Sequence, residues 1–315
     1  MCVFDPFIVK ASLVTGVALG ALYGILAVGL VLSFRMSRMV AFVHGGIALC
    51  SAFLYWYLTA DPARTSGHGT NLAYATKEWP KAPAVILAML LGVGLAALFA
   101  WVATGRMANW PRVTVTTFAL GGMLIFTGIT QEIWPGAFEI VPSPFGRGRV
   151  TIWGANVSHH QIAVIGILVF LVIVLHFVVT RTKTGVQMRA ISDDVEAAEI
   201  VGIPVRKVSM GVWCLSGALA GLGGVLLTPM TRLGASVVLF VLIRSLAGAV
   251  LGGFRSLPLA LLGAMLFGQV EAHTAGGTFG KISSGWREVI LMAVLFLGVL
   301  LVVRRKRSQF RLAET

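Results

Sequence analysis

The chain has 315 residues, of which 57% are hydrophobic and only 12% charged, with a mean hydropathy of +0.89. Soluble proteins average about 25% charged residues, so an ordinary soluble domain is excluded and an integral membrane protein is expected. The net charge of +13 would suit a nucleic-acid binder, but the basic residues are scattered between apolar segments and end in the tail RRKRSQFR. No basic stripe with interleaved aromatics forms, so topology accounts for the charge and no nucleic-acid partner is expected.

Asp5 and a single Lys10 precede a long apolar run, which fits an uncleaved first span better than a signal peptide. Stretches long enough to cross the hydrocarbon core need roughly 17 to 25 residues. They fall near 11–34, 40–60, 82–104, 113–133, 159–180, 208–228, 237–253, 257–273 and 288–303. The expected fold is therefore all-α, a polytopic transmembrane helical bundle of about eight to ten spans, nine by this count, in one domain over 1–315. The pair around 237–273 is the hardest to delimit. Lys and Arg in the short loops set the orientation. With the tail and the 181–207 loop in the cytoplasm, 15 basic residues lie inside and 9 outside, which implies N-out, C-in.

In the first span Gly16, Gly20 and Gly24 are spaced by four, as are Gly217 and Gly221 in the sixth and Gly248 and Gly252 in the seventh. Small residues at this spacing let helix backbones approach closely. The motif GALYG at 20–24 recurs as GALAG at 217–221, on spans that this topology orients oppositely, the pattern of an inverted repeat.

The second span opens with AFVHGG. An ionisable His44 is costly against lipid, so it is expected to face protein or water at a helix opening loosened by Gly45 and Gly46. It serves there either as a packing histidine satisfied by a neighbouring helix or as a solute contact.

One large polar loop, RTKTGVQMRAISDDVEAAEIVGIPVRKV, holds four of the twelve acidic residues. Asp193 three residues before Glu196 has capping-box spacing, and Gly202 and Pro204 end the run. A helix of about two turns is expected there, with Val195, Ala198 and Ile200–Val201 available for packing. It is either a solvated connector or a docking element for a soluble partner.

Among the later spans, Arg244 and Glu271 are charges inside the membrane. A hairpin turning at 254–256 would bring them within reach of each other, as an ion pair or, alternatively, as solute contacts. Glu132 closes the fourth span at the outer face, His159 and His160 are expected at the interface, and His68 and His273 in outer loops. No ligand spacing backed by a third group occurs, so no metal site is expected. Cys2, Cys50 and Cys214 offer no disulfide framework. The phosphate-loop pattern G-x-x-x-x-G-K-[ST] is absent: the only Gly-Lys, Gly280–Lys281, has Ala275 at the first position and Ile282 after it. The chain is therefore not expected to hydrolyse ATP or to bind a cofactor.

Four stretches in order resemble the permease subunits of branched-chain amino acid ABC importers, the LivH type. The first span carries Gly16, Gly20, Tyr23, Leu26, Ala27 and Gly29, and the second Phe42, His44 and Gly45. The loop carries Thr182, Gly185, Arg189, Ala190, Asp194, Ala198, Gly202 and Ile203, followed by Trp213 and SGALAGLGGVL. The fourth stretch is LGGFRSLPLALLGAMLFGQVE. Ala41 stands where the family commonly has Asn, and Arg255 and Leu259 replace small residues.

The resemblance implies a non-catalytic permease of the bacterial inner membrane that forms a pathway for branched-chain or related amino acids. Tyr23, Phe42, His44 and Gly45 are then pathway candidates. Arg189, Asp194, Glu196, Ala198 and Gly202 mark the loop that couples to ATPases. The implied partners are a second permease, LivM type or a like copy, two cytoplasmic ATPase subunits that use the ATP, and an extracytoplasmic solute-binding protein. The same superfamily moves urea, amides and sugars. An ion-coupled secondary transporter and a structural subunit of a membrane complex are the competing classes. Sparse intramembrane acids speak against the former.

Overall fold

The computed structural model describes residues 6–59, 79–107, 110–134, 141–146, 148–152, 155–231, 233–254, 256–276 and 283–313, the side chains at 6, 152, 235, 284 and 301–313 excepted. Cys2, Asp5, His68, Arg255, Gly280 and Lys281 lie outside the described residues, and so do the side chains of the basic tail. Each of the nine apolar segments is helical: α1 (Pro6–Ser37), α2 (Val43–Thr59), α3 (Lys81–Trp101), α4 (Arg112–Ile133) and α5 (His159–Arg181), then, beyond the polar loop, α8 (Val205–Leu227), α9 (Ala235–Leu251), α10 (Leu257–Ala275) and α11 (Ser284–Ala313). The loop itself holds α6 (Lys183–Asp193) and α7 (Val195–Ile200), where the sequence predicts one helix. Five helices, α1, α3, α4, α5 and α8, are long and apolar enough to cross a membrane, and α9 is a shorter apolar helix.

Helix starts follow local chemistry. Pro80, Pro111 and Pro204 immediately precede α3, α4 and α8, where proline's missing N–H costs nothing. Ser158 caps α5 in a reciprocal box: its hydroxyl accepts from the Gln161 N–H, and the Gln161 side chain accepts from the Ser158 N–H. Ser256 caps α10 through the Leu259 N–H. Residues 102–106 continue α3 as one wide π-type turn. One short hairpin, β1 (Arg149–Ile152) and β2 (Ala155–Ser158), is antiparallel and breaks the otherwise helical pattern ahead of α5.

Two long spans, α1 and α8, form the centre together with the shorter α2, most of whose residues are also buried. The most apolar window of α1 is 83% buried and that of α8 72%, against 17% for α4 and α5. These two long spans carry the two G-A-L-x-G motifs. Around them the packing is mirrored: α1 packs on α10 and α9, while α8 packs on α3 and α2, and α1 and α8 pack on each other. The glycines explain the closeness. A Cβ at Gly20 would lie 2.7 Å from the Met265 Cα on α10, and one at Gly92 on α3 would lie 2.5 Å from the Gly217 carbonyl oxygen on α8. Backbones touch there because no side chain intervenes. The α9–α10 turn uses positive φ at Gly253 (60°) and Phe254 (55°), and it reverses the chain where the sequence predicts a hairpin.

Candidate functional site

The segment 38–42 leaves α1 through Arg38, at φ 53°, and its guanidinium donates to the Ser192 carbonyl at the end of α6. The chain then turns, and α2 opens at Val43, three residues beyond the predicted start of its span, to pack on α8, α4 and α3. His44 sits in the first turn, 1% exposed, with Gly29 of α1 beside its ring and Trp213 of α8 tilted against it at 5.5 Å. Its Nδ1 is 3.0 Å from the Ala41 carbonyl oxygen and its Nε2 3.0 Å from the Ser216 Oγ. A carbonyl only accepts, so Nδ1 carries a proton. In the neutral imidazole Nε2 then accepts from the Ser216 hydroxyl. The Trp213 carbonyl, 2.9 Å from the same Oγ, is an alternative acceptor for that hydroxyl proton. His44 is thus enclosed by protein, as expected, and joins α2 to α8.

Gly45 and Gly46 serve approach. A Cβ at Gly45 would meet the Leu242 side chain at 2.7 Å, and one at Gly46 would meet Phe126 at 2.8 Å. Phe42 is half-buried at the turn, packed against the core. Tyr23 does not join this group. It lies six residues before Gly29 on α1, roughly 9 Å along the helix.

Tyr23 belongs instead to a second, charged cluster. Its hydroxyl donates to the Glu271 carboxylate on α10. Arg244 of α9 donates through Nη1 to Glu271 Oε1 at 2.7 Å and through Nη2 to Glu288 Oε1 on α11 at 2.6 Å. Arg244 and Glu271 are 14% and 13% exposed and Glu288 39%. The ion pair predicted from the hairpin therefore forms, and it belongs to a network across α1, α9, α10 and α11. A void of about 120 Å³ lies beside it between α9 and α11. Glu288 was not foreseen. A carboxylate four residues into an apolar helix is the signal that could have found it.

The loop residues do not converge with either cluster. Asp194, not Asp193, caps α7: its Oδ1 accepts from the N–H groups of Glu196 and Ala197 at 2.9 and 3.1 Å. The predicted capping box is corrected accordingly, because Asp193 is the last residue of α6 and only Asp194 has the extended conformation a cap requires. At the other end the Ile203 N–H donates to the Ala198 carbonyl and the Gly202 N–H to that of Glu199, with Gly202 at φ 84°, a Schellman closure. Ala198 is buried and Arg189, Glu196 and Gly202 are exposed. Ile200 and Val201, expected to pack, are 86% and 80% exposed; the closure turns them away from the bundle.

Two histidines also depart from expectation. His160 is buried, with Nε2 2.9 Å from the Leu226 carbonyl and Nδ1 3.2 Å from the Ser143 Oγ, so it fastens segment 141–146 to α8. His273 lies in the last turn of α10, not in a loop. Glu132 and His159 are exposed.

The chain matches the family described as branched-chain amino acid transport system, permease component, over residues 12–302. It is 26% identical over 299 residues to the high-affinity branched-chain amino acid transport system permease protein LivH of Salmonella typhimurium, covering 91% of each chain. To BraD of Pseudomonas aeruginosa, a permease protein of the same description, it is 22% identical over 293 residues, 92% of each. It is also 29% identical over 250 residues to the xylose/arabinose import permease protein XylH of Sulfolobus acidocaldarius, covering 73% of this chain and 64% of that one. No solved structure matches.

Proposed function

The chain belongs to the branched-chain amino acid transport system permease family, and on that premise we propose that it forms the pathway for branched-chain or related amino acids in an ATP-driven importer. It works with a second permease, two cytoplasmic ATPase subunits and an extracytoplasmic solute-binding protein, in a bacterial inner membrane. Nine spans cross, N-out and C-in, as two inverted halves. The mirrored packing of α1 on α10 and α8 on α3 supports the halves, since each first helix of one half grips the third helix of the other.

The observation that carries the reading is the match over 12–302. The loop geometry supports the coupling role. A capped, closed helix holds two large apolar side chains in solvent, and single-purpose connectors have no need of such a tip. On this reading Ile200 and Val201 enter a groove of the ATPase, flanked by Glu196 and Glu199. ATP-driven closure of the ATPases then rocks the spans so that the pathway opens outward and inward in turn.

The test is uptake of labelled leucine into vesicles containing the full set of subunits. Ile200→Glu with Val201→Glu should abolish ATP-dependent uptake while insertion and thermal stability stay at the parent level. Gradient-driven transport by this chain alone would replace the proposal with a secondary transporter. A pentose is the second solute to try, because the Sulfolobus relative is named for xylose and arabinose.

A further inference from the structure

Where α1, α5, α6 and the α9–α10 turn meet, a cavity of about 460 Å³ is walled by Arg35, Arg38 and Arg189, with Asp193 as the one carboxylate among its described lining residues and Phe34 and Phe254 stacked at 4.3 Å beside it. Arg35 and Val179 also line a second cavity of about 290 Å³. That one is walled chiefly by Val28, Val172, Leu175, Leu257 and Leu261 from α1, α5 and α10. A basic chamber therefore shares a wall with an apolar one. The shared wall lies in the last turns of α1 and α5, beside the first turn of α10. Around this seam α5 shows Ile173 and Phe177, and α10 shows Leu259 and Leu262, to the outside.

We propose that these two adjacent cavities together bind an anionic phospholipid of the cytoplasmic leaflet, its phosphate among Arg35, Arg38 and Arg189 and an acyl chain between α1, α5 and α10. Charge complementarity selects the occupant. Three guanidiniums and one carboxylate among the described lining residues favour a phosphate monoanion, and a zwitterionic headgroup brings a cation that only Asp193 among them can meet. The apolar neighbour selects an amphiphile over a free anion. Arg38 is fixed at the wall by the Ser192 carbonyl, so the chamber is preorganised, and a bound lipid bridges α1 to the loop that carries α7. The site rests on the membrane topology proposed above, not on the solute or on the ATPases.

The experiment titrates phosphatidylglycerol and, separately, phosphatidylcholine into the full-length chain, stripped of lipid in a non-ionic detergent, and reads occupancy by native mass spectrometry. Phosphatidylglycerol should bind in preference. Arg35→Gln with Arg38→Gln should weaken it about 25-fold, roughly five-fold per arginine. Leu257→Trp, which fills the apolar chamber without touching charge, should weaken it as well, so a folding failure of the double variant still leaves a test. Millimolar inorganic phosphate should not displace the lipid.

Equal binding of the two lipids, or unchanged binding in both variants, overturns the proposal. Displacement by phosphate would make this a soluble-anion site. A Leu257→Trp chain that changes oligomeric state but keeps its lipid would make the cleft a contact between chains. None of these readouts uses uptake, so failure here is distinguishable from failure of the transport reading.

Discussion

The two polar clusters inside the bundle solve the same problem differently. The His44 cluster is neutral, and both partners of the ring have a fallback: the Ser216 hydroxyl reaches the Trp213 carbonyl as well as His44, and the Ala41 carbonyl already accepts the His44 backbone N–H. The Arg244 cluster is charged: Glu271 accepts from Tyr23 as well as from Arg244, but the positive charge that balances the two carboxylates in these bonds is that of Arg244. Two carboxylates share one guanidinium, so the arginine ties α9 to α10 and α11 and, through Glu271, to Tyr23 of α1. Removing one partner of a buried pair leaves an uncompensated charge, which costs far more than a lost neutral hydrogen bond.

Arg244→Ala should therefore have the largest effect, close to 3 kcal/mol at the lower end of the range for broken buried pairs, because Glu288 is partly exposed and screened. Thermal unfolding in detergent would register it as a marked fall in midpoint. The sharper version is the neutral triple variant Arg244→Met, Glu271→Gln, Glu288→Gln, expected to recover most of that loss. If the triple variant is no better than Arg244→Ala, uncompensated charge is not the cause, and the contrast between the clusters fails.

His44→Leu comes next, at about 1 to 2 kcal/mol for burying an oxygen next to an apolar group. His44→Gln should fall below it, since an amide can still offer one donor and one acceptor. Smallest is Ser216→Ala, near the average of about 0.6 kcal/mol for interhelical hydrogen bonds in membranes. An effect of Ser216→Ala as large as that of Arg244→Ala would erase the distinction drawn between neutral and charged clusters.

The parts legible in the sequence were those written in local pattern. Apolar runs gave the helices, because lipid requires each backbone polar group to be satisfied within its own segment. The Arg244–Glu271 pair was legible because a short turn fixes the relative depth of consecutive helices. Ser216 as the partner of His44 was not, since 172 residues separate them and no local rule carries that distance. The cap of α7 was missed by one residue: Asp193 and Asp194 are chemically identical, and only the backbone decides which accepts the helix N–H groups. The fate of Ile200 and Val201 was hidden for a related reason. Helical periodicity assigns them a face, but the left-handed Gly202 ends the helix before that face meets anything.

The glycine contacts have a mechanical consequence. A Cβ at Gly20 or at Gly92 would strike the neighbouring helix, so α1 with α10, and α3 with α8, are each welded side by side along their length. Two rods welded in this way form a plank, stiff within its own plane and compliant only across it. The molecule therefore holds two planks whose inner edges, α1 and α8, lie against each other. A tilt of one plank against the other would be taken up where these edges meet, at Gly29 of α1 against the Ser216 carbonyl of α8.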